Sequence, residues 1–290
     1  MTYRDALALG AARLAAISSG RRDAESLLLR AAGCERAFLL THPDAGLTRE
    51  QQATYEQWLD RRAKHEPVQY LLGEQEFYGL TLRVTPDVLI PRPETEHLVE
   101  AALSRLSHKV VVGIADVGTG SGAIAIALAR SLPLAEVTAL ELSRAALGVA
   151  RQNAERHGVV DRIRLLQSDL LTAIQRETFD AIVSNPPYIA EGEVLEEQVR
   201  GYEPPDALFA GPAGLDIYRR LIPSAWEALK PGGWLLMEFG HGQREAVAGL
   251  LMGWSEVEFL PDLQGIPRVV CARRPGSGTE KSFPKSSGPK

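Results

Sequence analysis

The chain has 290 residues, of which 45% are hydrophobic and 24% charged, ordinary proportions for a soluble globular protein with room for a large domain and a small one. Its net charge of −5 excludes a globally basic surface, and residues 75–272 hold 26 acidic against 17 basic side chains, the wrong sign for gripping duplex phosphates. Cys34 and Cys271 lie far apart without metal-ligand spacing, and neither a secretory signal nor a membrane-spanning apolar run is present, so a cytoplasmic protein with free thiols is expected.

Residues 1–74 read as all-helical. Apolar residues recur at helical spacing over 6–17 until Ser18-Ser19-Gly20 interrupts them. A second helix is expected over 24–32, stopping at Gly33, and a short one over 36–40 before His42-Pro43. Thr48 and Gln51 have capping-box spacing, opening a helix to about Lys64. Pro67 then suits the first position of a short helix, 68–72, closed by Gly73. Tyr55, Trp58 and Leu59 read as core of a small bundle.

The pattern changes at Glu76. Phe77, Leu80, Leu82 and Val84 alternate about a glycine, predicting a β-hairpin linker over 75–92. From 93 a helix (97–106) leads into alternating strands and helices: strands at 110–116, 136–140, 163–167, 181–184 and 234–238, helices at 123–130, 144–157, 217–229 and 243–252. Two more strands, 257–260 and 269–272, have no helix between them and are expected to pair antiparallel at one edge. This is α/β organisation with a mainly parallel seven-stranded sheet. The tail, 273–290, is rich in Gly, Ser, Pro and Lys and reads as disordered.

In open α/β sheets ligands bind beyond the carboxyl ends of strands. The first strand ends in DVGTGSG, where Gly118, Thr119, Gly120, Ser121 and Gly122 make a tight loop before a helix. Its spacing differs from the G-x-G-x-x-G that cradles a pyrophosphate. The second strand ends at Glu141, placed to accept ribose hydroxyls, and the third near Asp169, placed to accept from a purine amino group. Loop, ribose acceptor and amine acceptor on successive strands imply an adenosine without pyrophosphate: S-adenosyl-L-methionine. No metal is called for.

The fourth strand runs into Asn185, Pro186, Pro187 and Tyr188. An Asn185 side-chain carbonyl and a Pro186 backbone carbonyl can hold both hydrogens of a planar –NH₂, with Tyr188 over its face. Two fixed dipoles would stabilise positive charge gained by an attacking nitrogen. His157 reads as a helix C-terminal residue rather than a general base.

DVGTGSG, ELS, QSD and VSNPPYI, in this order, resemble a class I (Rossmann-like) methyltransferase acting on a planar amino nitrogen. With the helical segment, the linker motif IPRPETE and EPPDALFAGPAGLDIYR, residues 1–272 resemble the HemK/PrmC family. The resemblance implies methylation of the side-chain amide (N5) of the glutamine in the Gly-Gly-Gln motif of class I peptide-chain release factors, during translation termination. It implies that Gly118–Gly122 contact the methionine part of the cofactor, Glu141 the ribose, and Asp169 with Leu170 the adenine, Asn185 also bordering the cofactor. Asn185, Pro186, Pro187 and Tyr188 would hold the substrate, with Asn185, Pro186 and Tyr188 catalytic. An aromatic often stands in the family where this chain has Leu170. Residues 1–74 would dock the release factor and 93–272 form the methyltransferase domain. Arg92, Thr95 and Glu96 either border the site or serve structure, Thr95 as a helix cap.

The alternative is a DNA or ribosomal RNA amino methyltransferase using the same NPPY chemistry, disfavoured by the acidic balance. A nicotinamide-dependent oxidoreductase fits the glycine spacing poorly, and a non-catalytic cofactor-binding module leaves NPPY unexplained. A monomer without membrane or direct nucleic-acid contacts is expected.

Overall fold

Thr2 and Asp5 exchange hydrogen bonds in a capping box, which starts the first helix earlier than apolar spacing suggests. The computed structural model describes residues 1–106, 108, 110–175 and 177–276; most of the expected tail, 277–290, lies outside the described residues. The chain divides into two compact units, Met1–Glu74 with Leu195–Glu203, and Gln75–Val194 with the residues from Pro204 onward.

The first unit holds α1 (Tyr3–Arg13), α2 (Gly20–Ala32), α3 (Arg36–Thr41), α4 (Arg49–Arg62) and α5 (Val68–Leu72). α1 ends at Arg13 rather than 17, because two successive turns, Ile17 N–H to Leu14 O and Gly20 N–H to Ile17 O, redirect the chain into α2. Thr48 and Gln51 close the expected capping box on α4. Pro67 precedes α5 as its cap residue, and Gly73 ends it in the left-handed conformation. Tyr3, Leu14, Leu27, Leu28, Leu39, Tyr55 and Leu59 form the core, with Trp58 packed at its edge. Burial raises the Tyr55 phenol well above its usual range, and its hydroxyl donates to Ala6 O at 3.1 Å. Arg62 and Asp23 form a buried ion pair at 2.8 Å.

The second unit opens with a hairpin, β1 (Glu74–Phe77) and β2 (Leu80–Arg83), then α6 (Glu96–Arg105). There follow β3 (Val112–Val117), α7 (Ala123–Ser131), β4 (Ala135–Glu141), α8 (Arg144–Arg156), β5 (Ile163–Gln167) and β6 (Phe179–Ser184). After them come α9 (Glu197–Tyr202), α10 (Asp216–Ala228), β7 (Leu229–Glu238), α11 (Arg244–Leu250), β8 (Ser255–Pro261) and β9 (Pro267–Arg273). α9, absent from the sequence reading, belongs to the first unit: Gln198 accepts from Arg62 at 3.2 Å, and the Tyr202 hydroxyl donates to Lys64 O at 2.7 Å.

Seven strands form one sheet in the order β5-β4-β3-β6-β7-β9-β8. Pairing is parallel from β5 to β7, and β9 runs antiparallel to both β7 and β8. Alternate residues of one strand enter opposite apolar layers, as the two-residue period of a strand requires. Ile114, Val183, Leu236 and Cys271 face one layer with α6 and α7; Ala115, Ile182, Leu235 and Val270 face the other with α10 and α11. Burial pushes the Cys271 thiol up to about 11. β7 begins five residues earlier than expected, at Leu229, with its register against β6 shifted across the Lys-Pro-Gly-Gly stretch. β9 runs to Arg273, and Arg274 N–H still bonds Gly233 O at 2.8 Å, so ordered pairing continues past the expected boundary at 272.

Candidate active site

The chain steps outward from β3 through β4 to β5, then returns to add β6 and β7 on the other side. This reversal puts a crevice between the carboxyl ends of β3 and β6, the general position for a ligand in such sheets. A cavity of about 540 Å³ lies there, within the ~300–1,000 Å³ usual for small-molecule sites. Gly118, Gly120, Glu141, Asp169, Leu170, Asn185, Pro186 and Pro187 line it. Thr119, Ser121, Gly122 and Tyr188, expected at the site, are not in its wall.

The glycine loop folds over the end of β4, Gly118 N–H and Thr119 N–H both donating to Leu140 O at 2.8 and 3.0 Å. Gly118 and Gly120 have φ of +73° and +54°, and a Cβ at either would meet no atom within 4 Å. Conformation rather than crowding selects glycine there, and the backbone stays open to a ligand. The Thr119 hydroxyl turns inward instead, donating to Asp116 Oδ2 at 2.6 Å, and Ala125 N–H donates to the same oxygen at 3.1 Å. Asp116 is fully buried, its Oδ1 has no partner among the described residues, and burial raises its carboxyl to about 7. Glu141 braces the loop, accepting from Gly120 N–H at 2.9 Å and Ser143 N–H at 3.0 Å. Asn153, which sequence reasoning missed, donates to Ser121 O at 2.8 Å and bonds Arg83 in both directions.

At the third strand end, Leu170 adopts a left-handed φ of +51°, its carbonyl accepting from the Ser168 hydroxyl at 2.8 Å. Asp169 is ion-paired with Arg220 at 2.5 Å. Arg220 and Ile217 of α10 line the cavity, as do residues 86–89 after the hairpin; none of these was singled out from sequence.

At the fourth, the Ser184 hydroxyl ties β6 to Val117 O at 2.7 Å, and the chain leaves the sheet through Asn185. Asn185 Nδ2 donates to the Thr95 hydroxyl at 3.0 Å, and that hydroxyl donates to Glu238 Oε2 at 2.6 Å. Thr95 therefore makes no cap bond to α6, contrary to the capping expectation. The Tyr188 hydroxyl donates to Glu238 Oε1 at 3.3 Å, and burial raises the phenol well above its usual range. Tyr188 is thus anchored by its hydroxyl to Glu238. Its carbonyl accepts from Gln243 Nε2 at 2.9 Å. Glu96 accepts from Tyr78 N–H at 2.8 Å, securing the hairpin turn. His157 ends α8 and contacts Thr81 O at 3.0 Å, away from the cavity wall. Glu238 was missed, although an acid ending an apolar parallel strand (LLME) is itself a signal.

Residues 5–73 match the PrmC N-terminal domain and residues 95–200 the methyltransferase small domain. The release factor glutamine methyltransferase of Koribacter versatilis is 47% identical over 262 residues, covering 89% of this chain and 93% of that protein. Its counterpart from Geobacter sulfurreducens is 46% identical over 261 residues, covering 89% and 90%. The chain belongs to the release factor glutamine methyltransferase family. It is accordingly a methyltransferase dependent on S-adenosylmethionine, and its large unit has the class I methyltransferase fold. A methyltransferase from Pyrococcus furiosus shares that fold at 20% identity, with a TM-score of 0.51 over 79% of this chain and 100% of that one. So does a T. thermophilus 16S rRNA N2 G1207 methyltransferase, 24% identical, with a TM-score of 0.53 over 69% of this chain and 49% of that one. Among the described residues no helix is long and apolar enough to cross a membrane.

Proposed function

We propose that the chain methylates N5 of the glutamine in the Gly-Gly-Gln motif of class I release factors, as a cytoplasmic monomer serving translation termination. The observation that carries this reading is that Gly118, Gly120, Glu141 and Asp169 line the same cavity as Asn185 and Pro186. The open backbone of Gly118 and Gly120, both in the cavity wall, suits a ligand with a polar amino-acid end. Gly118 and Gly120 hold the methionine part, Glu141 the ribose, and Asp169 with Leu170 the adenine. When bound, S-adenosylmethionine supplies an electrophilic methyl group.

The protein's own work is orientation and electrostatics. Asn185 Oδ1 and Pro186 O accept the two hydrogens of the glutamine amide, turning its nitrogen toward the cofactor side of the cavity. Both are fixed dipoles, so they stabilise the charge that builds on nitrogen without reorganising. Pro186 cannot shift into strand pairing, having no N–H, and this keeps its carbonyl available. The first unit docks the body of the release factor.

The test offers labelled S-adenosylmethionine with intact release factor, duplex DNA and ribosomal RNA in parallel. Label mapped by mass spectrometry to the Gly-Gly-Gln glutamine supports the reading. Label on nucleic acid alone rejects the acceptor while leaving cofactor and fold in place.

A further inference from the structure

The terminal amide of asparagine is nearly symmetric in shape and opposite in chemistry at its two ends: Oδ1 accepts and Nδ2 donates. A half-turn of Asn185 would present a donor to the hydrogens of an incoming –NH₂ and repel it. Some neighbour has to decide which end faces the cavity. Nδ2 of Asn185 donates to Thr95 Oγ1 at 3.0 Å, and Thr95 gives its single hydroxyl proton to Glu238 Oε2 at 2.6 Å. A hydroxyl whose proton is committed offers only lone pairs, so it takes an N–H and refuses a carbonyl.

We infer that Thr95 and Glu238 are positioning residues, a buried directional chain that holds Asn185 with Nδ2 turned inward and Oδ1 presented to the substrate amide. The inference rests on the proposed role of Asn185 as an acceptor for that amide. Several placements converge on it. β6 and β7 pair in parallel with Ser184 opposite Met237, so Asn185, the first residue past β6, stands beside Glu238, the last residue of β7, which is held in the sheet by Val269 of β9. Thr95 arrives from the short turn Pro93–Thr95 that follows the linker. Thr95 is 4% and Glu238 2% exposed, so water does not compete for the hydroxyl. Thr95 stands at the entry of α6, where a hydroxyl ordinarily caps, yet makes no cap bond. Glu238 Oε1 also receives the Tyr188 hydroxyl, so one carboxylate steadies two members of the Asn185–Tyr188 segment.

The test compares Thr95→Val, which keeps shape and removes the hydroxyl, with Thr95→Ser, which keeps the hydroxyl, both in the full chain. Three quantities are read: kcat and KM on intact release factor, the Kd for S-adenosylmethionine, and hydrogen exchange of the Asn185 side-chain amide by NMR. Thr95→Val is expected to lose about tenfold or more in kcat at unchanged cofactor Kd, with faster Asn185 amide exchange. Thr95→Ser is expected to track the wild type in all three. Wild-type kcat and exchange in Thr95→Val, or equal losses in the Val and Ser variants, would overturn the inference. Thr95→Ala, which adds no apolar bulk, is read in the same way should the valine variant fail to fold. If the wild type leaves release factors unlabelled, the proposed acceptor falls, while the exchange measurement still decides whether Thr95 orients Asn185.

Discussion

The Asp169 carboxylate and the Arg220 guanidinium are joined at 2.5 Å across the mouth of the cavity, each about half exposed. Arg220 occupies Oδ2, and in the proposed reading the other carboxylate oxygen accepts from the adenine amino group. Asp169→Ala should raise the Kd for S-adenosylmethionine about tenfold or more, the size of a lost hydrogen bond to a charged group. Arg220→Ala should have a smaller effect, because an exposed pair contributes little by itself. Calorimetric titration checks both, and unaltered affinity in Asp169→Ala would place the adenine elsewhere.

Asn185→Ala deletes one of the two proposed amide acceptors. Turnover should fall about 100-fold or more, as for loss of one preorganised transition-state partner, with the cofactor Kd nearly unchanged. Single-turnover kinetics beside the same titration separates the two effects; wild-type turnover would remove Asn185 from the mechanism.

Burial holds the Glu238 carboxyl at about 7, although hydrogen bonds from Thr95 and Tyr188 and the charge of Arg268 pull it down; Glu94 adds to the rise. Above that pH the carboxylate accepts from Thr95; below it a protonated Glu238 can donate instead, freeing the Thr95 proton and loosening the choice of amide end. kcat should therefore increase as pH rises through about 7, and Glu238→Gln should flatten that limb. Stability moves the other way. Between the ordinary carboxylate range and about 7 the folded protein binds protons that the unfolded chain has released, so stability declines as pH rises across this window. Asp116, also near 7, adds to that decline, and Glu238→Gln should lessen it without abolishing it. Melting curves from pH 5 to pH 8 report it; a stability slope unchanged by the substitution would contradict the raised value.

Gly214 has φ +68°, and a Cβ there would stand 2.2 Å from the Tyr188 carbonyl oxygen and 2.7 Å from Gln243 Nε2. Gly214→Ala should cost about 2 kcal/mol or more from backbone strain and the clash, and should lower kcat by displacing the NPPY segment. Denaturant unfolding and steady-state kinetics check this together. Loss of stability with full activity would show that the segment tolerates the shift.

Phe38 and Leu40 of α3 are 44% and 63% exposed, two large apolar side chains that the first unit leaves in solvent. If that unit docks the release factor, replacing both by Ser should raise KM for the intact factor and leave a Gly-Gly-Gln peptide unaffected. Substitution is cleaner than deleting residues 1–72, which would strip α9 of Arg62 and Lys64, its partners. Equal effects on protein and peptide would refute docking through these side chains.

Much of the fold was legible because its signals are local. A capping box needs only Thr48 and Gln51, a left-handed stop only Gly73, and alternation within six residues assigns Ile114 and Ala115 to opposite faces of the sheet. The strand-end motifs were legible for the same reason: glycine and proline restrict their own backbone, so DVGTGSG and NPPY announce a loop and a stop wherever they fall. Local chemistry could not say which side chains meet. Thr95 and Glu238 are 143 positions apart and Thr95 and Asn185 are 90 apart; the β6–β7 register sets Asn185 beside Glu238, and the turn before α6 brings Thr95 to both. α9 joined the first unit for a similar reason, its short helix being settled by partners far away in sequence. The sequence by itself determined which backbone turns and which acceptor groups stand at the strand ends. Only the tertiary structure decided how they are aimed, because aim comes from hydrogen bonds whose two ends the chain brings together after the sheet has formed.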